Sequence, residues 1–278
     1  MITLNVQGLP VELRAFHDLS FVEGFGRVLR VFDRLQSGLL GFQMEQGGKR
    51  YYLKYAGAPT LMAMEPSAQC VQRLRLASSR YETLRHPALA SFQGARDYGS
   101  GFALLLEWVD GLPLAPLEEN ARQLRAAPLT DRLRMMDSLI DLHAAAEEQG
   151  LVACGLQDAH LIYQPQNAKL ILAHLDDYLM MPAVNLRGRL PGSPFYLAPE
   201  AYQRGAALDE TTTVYAMGAL AFHLFGDWPG QKKEGWEASP LLYAAAGRAL
   251  HKDRNLRYQS TQHFLEAWRE AVKRSPLY

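Results

Sequence analysis

Apolar and polar residues alternate along the first third of the chain and then shift to a spacing of three and four. GRVLRVFDR, LLGFQMEQ and RYYLKYAG each follow period two and are separated by LQSG and GG, which have the composition of tight turns. They predict an antiparallel meander of three strands. In PSAQCVQRLRLASSRYETLR, residues Val71, Leu74, Ala77, Tyr81 and Leu84 share one helical face, so a helix is expected over about 66–85. LASFQGARDYG and GFALLLEWVDG predict two further strands that end this lobe near Gly111. Beyond it, LTDRLRMMDSLIDLHAAAEEQG carries Leu133, Met136, Leu139, Ile140 and His143 at helical spacing, with Thr130 or Asp131 placed as an N-cap. HLIYQ and KLILAHL predict short strands around the turn QPQN, and ETTTVYAMGALAFHLFG, PLLYAAAGRALH and TQHFLEAWREAVKR predict helices. The fold class is therefore α+β, with a small antiparallel β lobe carrying one helix at about 20–109, a connecting segment at 110–115 and a larger, mainly helical lobe at 116–274. A cleft between such lobes is the expected ligand site.

Composition narrows the function classes. The 278 residues are 48% hydrophobic and 21% charged, in the range of a packed domain. Lys+Arg and Asp+Glu are equal at 29 each, so nothing in the net charge argues for nucleic acid or an anionic membrane. Cys70 and Cys154 are too few for a disulfide framework or a paired-cysteine zinc site. MITLNVQGLPVELRAFHD lacks the basic start and apolar core of a signal peptide, and the expectation is a cytoplasmic protein.

Several segments in order resemble the eukaryotic-type protein kinase fold over roughly 25–272. GSPFYLAPEAYQRG contains Ala198-Pro199-Glu200, the A-P-E that ends that family's activation segment. TVYAMGALAFHLF is similar to its buried DVWSLG helix, and KDRNLRY supplies Arg257, where the family pairs an arginine with the A-P-E glutamate. The resemblance thus implies a structural ion pair between Glu200 and Arg257. It also places Lys54 of YYLKYAG at the family's phosphate-holding lysine, and it implies Lys54, Gly38 and Glu107 as nucleotide-binding positions for ATP. The wording around A-P-E is similar to divergent bacterial kinase-like proteins.

The chemically active positions depart from the family. Its Gly-rich loop falls on Asp33 to Leu40, where only Gly38 survives and Asp33 would face phosphate with its own charge. Ala77 stands where a glutamate should hold the lysine, with Glu65 or Glu82 as substitutes through a shifted helix. In the stretch ACGLQDAHLIY, Ala153, Cys154 and Gly155 replace H-R-D, Gln157 replaces the loop lysine and His160 replaces the metal-binding asparagine. Gly155 has no group to accept a hydroxyl proton. His174-Leu175-Asp176 replaces D-F-G, and imidazole is a poor ligand for Mg²⁺, so the ordinary two-metal site is not encoded.

These departures point to a pseudokinase, a regulatory or binding module with a protein partner. The alternative is an active ATP-dependent serine/threonine kinase in which a re-registered loop offers Asp158 as base and Asp176 to a metal, with Lys54 on the phosphates. His160 and His174 near Asp158, Asp176 and Asp177 also raise a transition-metal site. Elsewhere the bland readings are favoured: Cys154 as a buried inert thiol, Met180 and Met181 as packing against the helical lobe, and Trp228, Trp236, Tyr243 and Trp268 as core or lobe-surface packing. The segment LMMPAVNLRGR, 179–189, has no serine or threonine to phosphorylate, and Ser193 remains as a candidate.

Overall fold

The alternating first third folds into a five-stranded, wholly antiparallel sheet in the computed structural model, which describes residues 1–115, 118–226 and 232–276. Trp228 lies outside these residues. The chain divides into two compact units, one of Met1–Arg85 with Ala90–Val109 and one of His86–Leu89 with Asp110–Tyr278. The class is α+β, with strands dominating the first unit and helices the second.

The first unit begins with a hairpin, β1 (Ile2–Val6) and β2 (Leu9–Leu13), turned at Gln7 and Gly8, both at positive φ. The main sheet holds β3 (Arg27–Phe32), β4 (Leu40–Gln46), β5 (Lys49–Ala56), β6 (Phe92–Tyr98) and β7 (Gly101–Glu107) in the order β3-β4-β5-β7-β6. Helix α1 (Ser67–Thr83) forms where the apolar spacing placed it and buries Leu74, Ala77 and Tyr81, packing with β5, β6 and β7. Leu53 and Tyr55 alternate with Tyr52 and Lys54 along β5, so successive side chains serve opposite faces. Phe42, Met44, Leu53 and Tyr55 join Val6, Val11, Leu13 and Val22 in one apolar cluster, so the N-terminal hairpin and the 3₁₀ turn Ser20–Phe25 cover the sheet face opposite α1.

In the second unit, β8 (Leu112–Pro113), α2 (Glu118–Arg125), α3 (Leu129–Glu148) and β9 (Leu151–Val152) lead to β10 (Leu161–Gln164) and β11 (Lys169–Leu172). After these come β12 (Leu179–Met180), β13 (Ala183–Val184), β14 (Ala207–Leu208), α4 (Glu210–Phe225), α5 (Pro240–Ala249) and α6 (Thr261–Arg274). Helix α3 packs on α4 and α6, and α5 packs on α4 and α6. Nearly every side chain of α4 is buried, and a capping box between Asp209 and Thr212 fixes its start. The start of α3 differs from expectation: Pro128, not Thr130 or Asp131, holds the N-cap position, because its carbonyl takes the N–H of Asp131 at 2.9 Å and of Arg132 at 3.1 Å. Asp131 instead sits in the first turn, where a negative charge suits the helix dipole. Trp268 is fully buried, and Trp236 packs with Phe222, Phe225 and Tyr243.

Candidate functional site

Two sets of sequence-predicted residues occupy different units. In the first unit, Lys54 lies on β5 opposite Leu104 of β7 and is buried. Its Nζ is 3.3 Å from the Tyr81 hydroxyl of α1 and 5.4 Å from the centre of that ring. Tyr81 comes one helical turn after Ala77, so the helix meets the lysine with an aromatic hydroxyl from the next turn. Glu65 lies 3.8 Å from Arg73, and Glu82 is exposed.

The loop from Asp33 to Gly38 is engaged with the rest of its own unit. The Asp33 carboxylate accepts the Glu12 N–H of β2 at 2.8 Å, which directs its charge to the hairpin. Gly38 has φ +75, and a Cβ there would lie 3.1 Å from the Ala63 Cα. Thr60 donates its hydroxyl to the Gly38 carbonyl at 3.0 Å, and Arg73 donates to the Ser37 carbonyl at 2.5 Å. The glycine therefore serves close packing of a pinned turn. Further along the Lys54 face, the Tyr52 hydroxyl covers Gly41, since a Cβ at Gly41 would meet it at 2.5 Å. Tyr52 also packs edge-on to Phe32 and Trp108. Glu107 ends β7 with an exposed side chain, its N–H bonded to the Ser91 carbonyl at 2.8 Å.

In the second unit, Gly155 is the residue that the sequence resemblance sets at a catalytic aspartate. Its φ of +75 lies in the left-handed region, and a Cβ built on it would stand 2.5 Å from the Cβ of Asp177. Gly192 lies against the other side of the same glycine, where its own Cβ would come 3.0 Å from the Gly155 Cα. The Ser193 N–H donates to the Leu156 carbonyl at 3.0 Å, and the Ala153 N–H donates to the Thr213 hydroxyl of α4 at 3.0 Å. The remaining cavity beside Gly155, lined in part by Cys154, Leu190, Tyr196 and Ala201, holds about 10 Å³. That is room for roughly one water. Cys154 is buried in the apolar cluster of Val152, Leu190, Leu197, Ala201 and Leu208.

Asp158 faces two aromatic partners. The Tyr196 hydroxyl donates to its Oδ1, and His223 Nδ1 of α4 lies 3.1 Å from the same oxygen and 2.6 Å from the tyrosine oxygen. Since the one phenol proton goes to the carboxylate, the hydrogen on His223 Nδ1 donates into the same pair of oxygens. Burial pushes the Asp158 carboxyl up, but the bonds from His223 and Tyr196 outweigh it and hold it below its ordinary value. Burial, then the Asp158 charge, raises the Tyr196 phenol well above its usual range. These groups have a signal in the sequence only as isolated letters, a histidine inside an apolar helix and a tyrosine before A-P-E.

His160 and His174 stack with ring centres 3.9 Å apart and planes 15° apart. His174 Nε2 lies 3.2 Å from Asp177 Oδ2, and its Nδ1 lies 3.7 Å from the buried Asp176 carboxylate. Stacked rings do not converge their nitrogens on one point. Among the described residues no group of three His, Cys, Asp or Glu side chains is placed to hold a metal ion. The donor set at 174–177, with an imidazole first, does not fit Mg²⁺, which prefers hard oxygen ligands. Next in the chain, Tyr178 donates its hydroxyl to His143 Nε2 at 2.6 Å while His143 Nδ1–H donates to the Leu139 carbonyl at 2.7 Å. Burial brings this imidazole down to about 4. Of the two methionines, Met181 packs on the apolar cluster, whereas Met180 is exposed, pointing away from Leu179, its β12 neighbour that packs on that cluster.

Glu200 and Arg257 meet as a buried pair, at 2.7 Å from Nη1 to Oε1 and 3.1 Å from Nη2 to Oε2. Thr212 donates to Glu200 at 2.9 Å, and the guanidinium also donates to the carbonyls of Thr211, His251 and Lys252. Burial would raise the Glu200 carboxyl, but Arg257 holds it low. No protein-family model matches the chain, and neither does any curated protein.

Proposed function

We propose that this chain is a kinase-like fold that has given up phosphate transfer and works in the cytoplasm as a binding or regulatory module with a protein partner. Gly155 carries the reading. Phosphoryl transfer needs a group to orient and deprotonate the attacking hydroxyl; at the position the resemblance assigns to it there is no side chain, and Asp177 stands where one would go. Three further features support it. Asp158, the substitute base of the alternative kinase reading, is bonded to Tyr196 and His223. The 174–177 donors do not suit Mg²⁺, and the turn at 33–38 is pinned by Thr60 and Arg73. Incubation of the full chain with γ-labelled ATP, Mg²⁺ or Mn²⁺ and a general protein substrate is the test. The expected result is no label transfer above the Lys54→Ala variant. Turnover that Lys54→Ala and Asp158→Asn both abolish would overturn the proposal and favour the active kinase.

A further inference from the structure

Between Ala183 and Leu208 the helix-rich unit displays apolar side chains to solvent on a backbone that is unusually well tied. Leu186 is 75% exposed, Val184 49% and Tyr202 43%. The residue between the first two is fully buried: Asn185 accepts the N–H of Arg187 at 3.1 Å and of Gly188 at 3.0 Å through its Oδ1. Its Nδ2 donates to the Glu200 carbonyl at 3.2 Å and also to that of Gly188. The Asn185 backbone bonds Ala206 at 2.9 Å and Gly205 at 2.8 Å, which lays the turn on the segment carrying Tyr202. An asparagine used this way builds a local turn from its own side chain. Leu186 is thereby held at the crest of a fixed loop, and little conformational entropy remains to be lost when something covers it.

The charges on this segment are of one sign. Arg187, Arg189 and Arg204 are exposed, and the only acid between Ala183 and Leu208, Glu200, is buried against Arg257. Arg189 is braced by a bond to the Gly192 carbonyl at 3.2 Å. In a chain whose Lys+Arg and Asp+Glu are equal, the segment itself carries more basic than acidic residues beside its exposed apolar groups.

We infer that this crest docks an acidic protein segment, one whose carboxylates meet Arg187, Arg189 and Arg204 while an apolar side chain covers Leu186 and Tyr202. Charge complementarity selects the partner and speeds its approach, and the apolar contact supplies the retention. A lipid surface fits less well, since three arginines with a few exposed apolar side chains fall short of the two strong signals that stable anchoring takes. The same segment packs on the Gly155 loop through Gly192 and Leu190, but the inference concerns a binding contact and holds whether or not the chain transfers phosphate.

Selection of a random 12-residue peptide display library on the intact protein tests it, with the recovered peptides then measured as synthetic peptides by fluorescence anisotropy. Recovered sequences should be rich in Asp and Glu around a large apolar residue. Their binding should weaken at least tenfold in Leu186→Asp and in the triple Arg187→Glu, Arg189→Glu, Arg204→Glu variant, and should fall as salt is raised. Leu186→Ser serves as a milder second variant, and an unchanged unfolding midpoint verifies that each variant is folded. No enrichment, enrichment of basic or neutral peptides, or unchanged affinity in the folded variants would overturn the inference. So would binding to vesicles of phosphatidylcholine and phosphatidylserine at 7:3 without selection of acidic peptides, which would assign the crest to a membrane.

Discussion

The corner at Glu200 and the loop at Gly155 lie in the same unit, and the contrast between them is one of use. At the corner, Glu200 and Arg257 keep both charges, desolvated and bidentate, with every remaining donor sent to a carbonyl. In the loop, Gly155 brings no side chain, and the carboxylates nearby are turned to Tyr196, His223 and His174. The charges at the corner hold the fold together, and Asp158 and Asp177 in the loop are engaged by neighbouring side chains. Such a split follows if binding still requires the shape and nothing requires the chemistry.

The largest effect is expected at the corner. Arg257→Ala leaves Glu200 buried without its partner and should cost about 3–5 kcal/mol in urea denaturation; a loss under about 1 kcal/mol would mean the pair is no more than a surface contact. Acid should next distinguish the two kinds of support. His143 is neutral and buried, so between pH 6.5 and about 4 the unfolded chain takes up a proton that the folded chain refuses. Stability attributable to this group therefore falls as pH drops through that window, by about 3 kcal/mol at its lower end. His143→Gln should flatten that part of the pH profile, and an equally steep profile in the variant would remove the assignment.

Gly155→Ala should cost about 1–3 kcal/mol, from the positive φ and from crowding against Asp177. Combining it with Asp177→Gly should recover the crowding portion but not the backbone portion, and strict additivity of the two changes would show that Asp177 does not fill the space.

How much of this could be read beforehand depended on the range of the interaction. The helices at 67–83 and 210–225 followed from spacing that each segment carries in itself. Lys54 on its strand is legible from the alternating pattern, whereas the pairing of Glu200 with Arg257 is legible only through the resemblance that the A-P-E segment carries. The first hairpin is not legible although ITLNVQGLPVEL alternates, because its two short strands make an apolar face only once the main sheet lies beneath them. Tyr81 on Lys54 and Tyr196 on Asp158 join residues 27 and 38 positions apart, and nothing local marks a tyrosine as the partner. Helix α2 is not legible because its eight residues are mostly polar and lack an apolar stripe long enough to read.

Asp158 offers the most direct measurement, because it is the one loop acid that could serve either chemistry or structure. Removing a half-buried acceptor shared by the buried Tyr196 and His223 takes a partner from both, so Asp158→Ala should lose about 1–3 kcal/mol of stability in chemical denaturation. A carboxylate kept for catalysis behaves the other way, since active-site groups are held at a cost to the fold. Stability unchanged or raised in Asp158→Ala would contradict a structural role for the loop acids and return this residue to the position of a base.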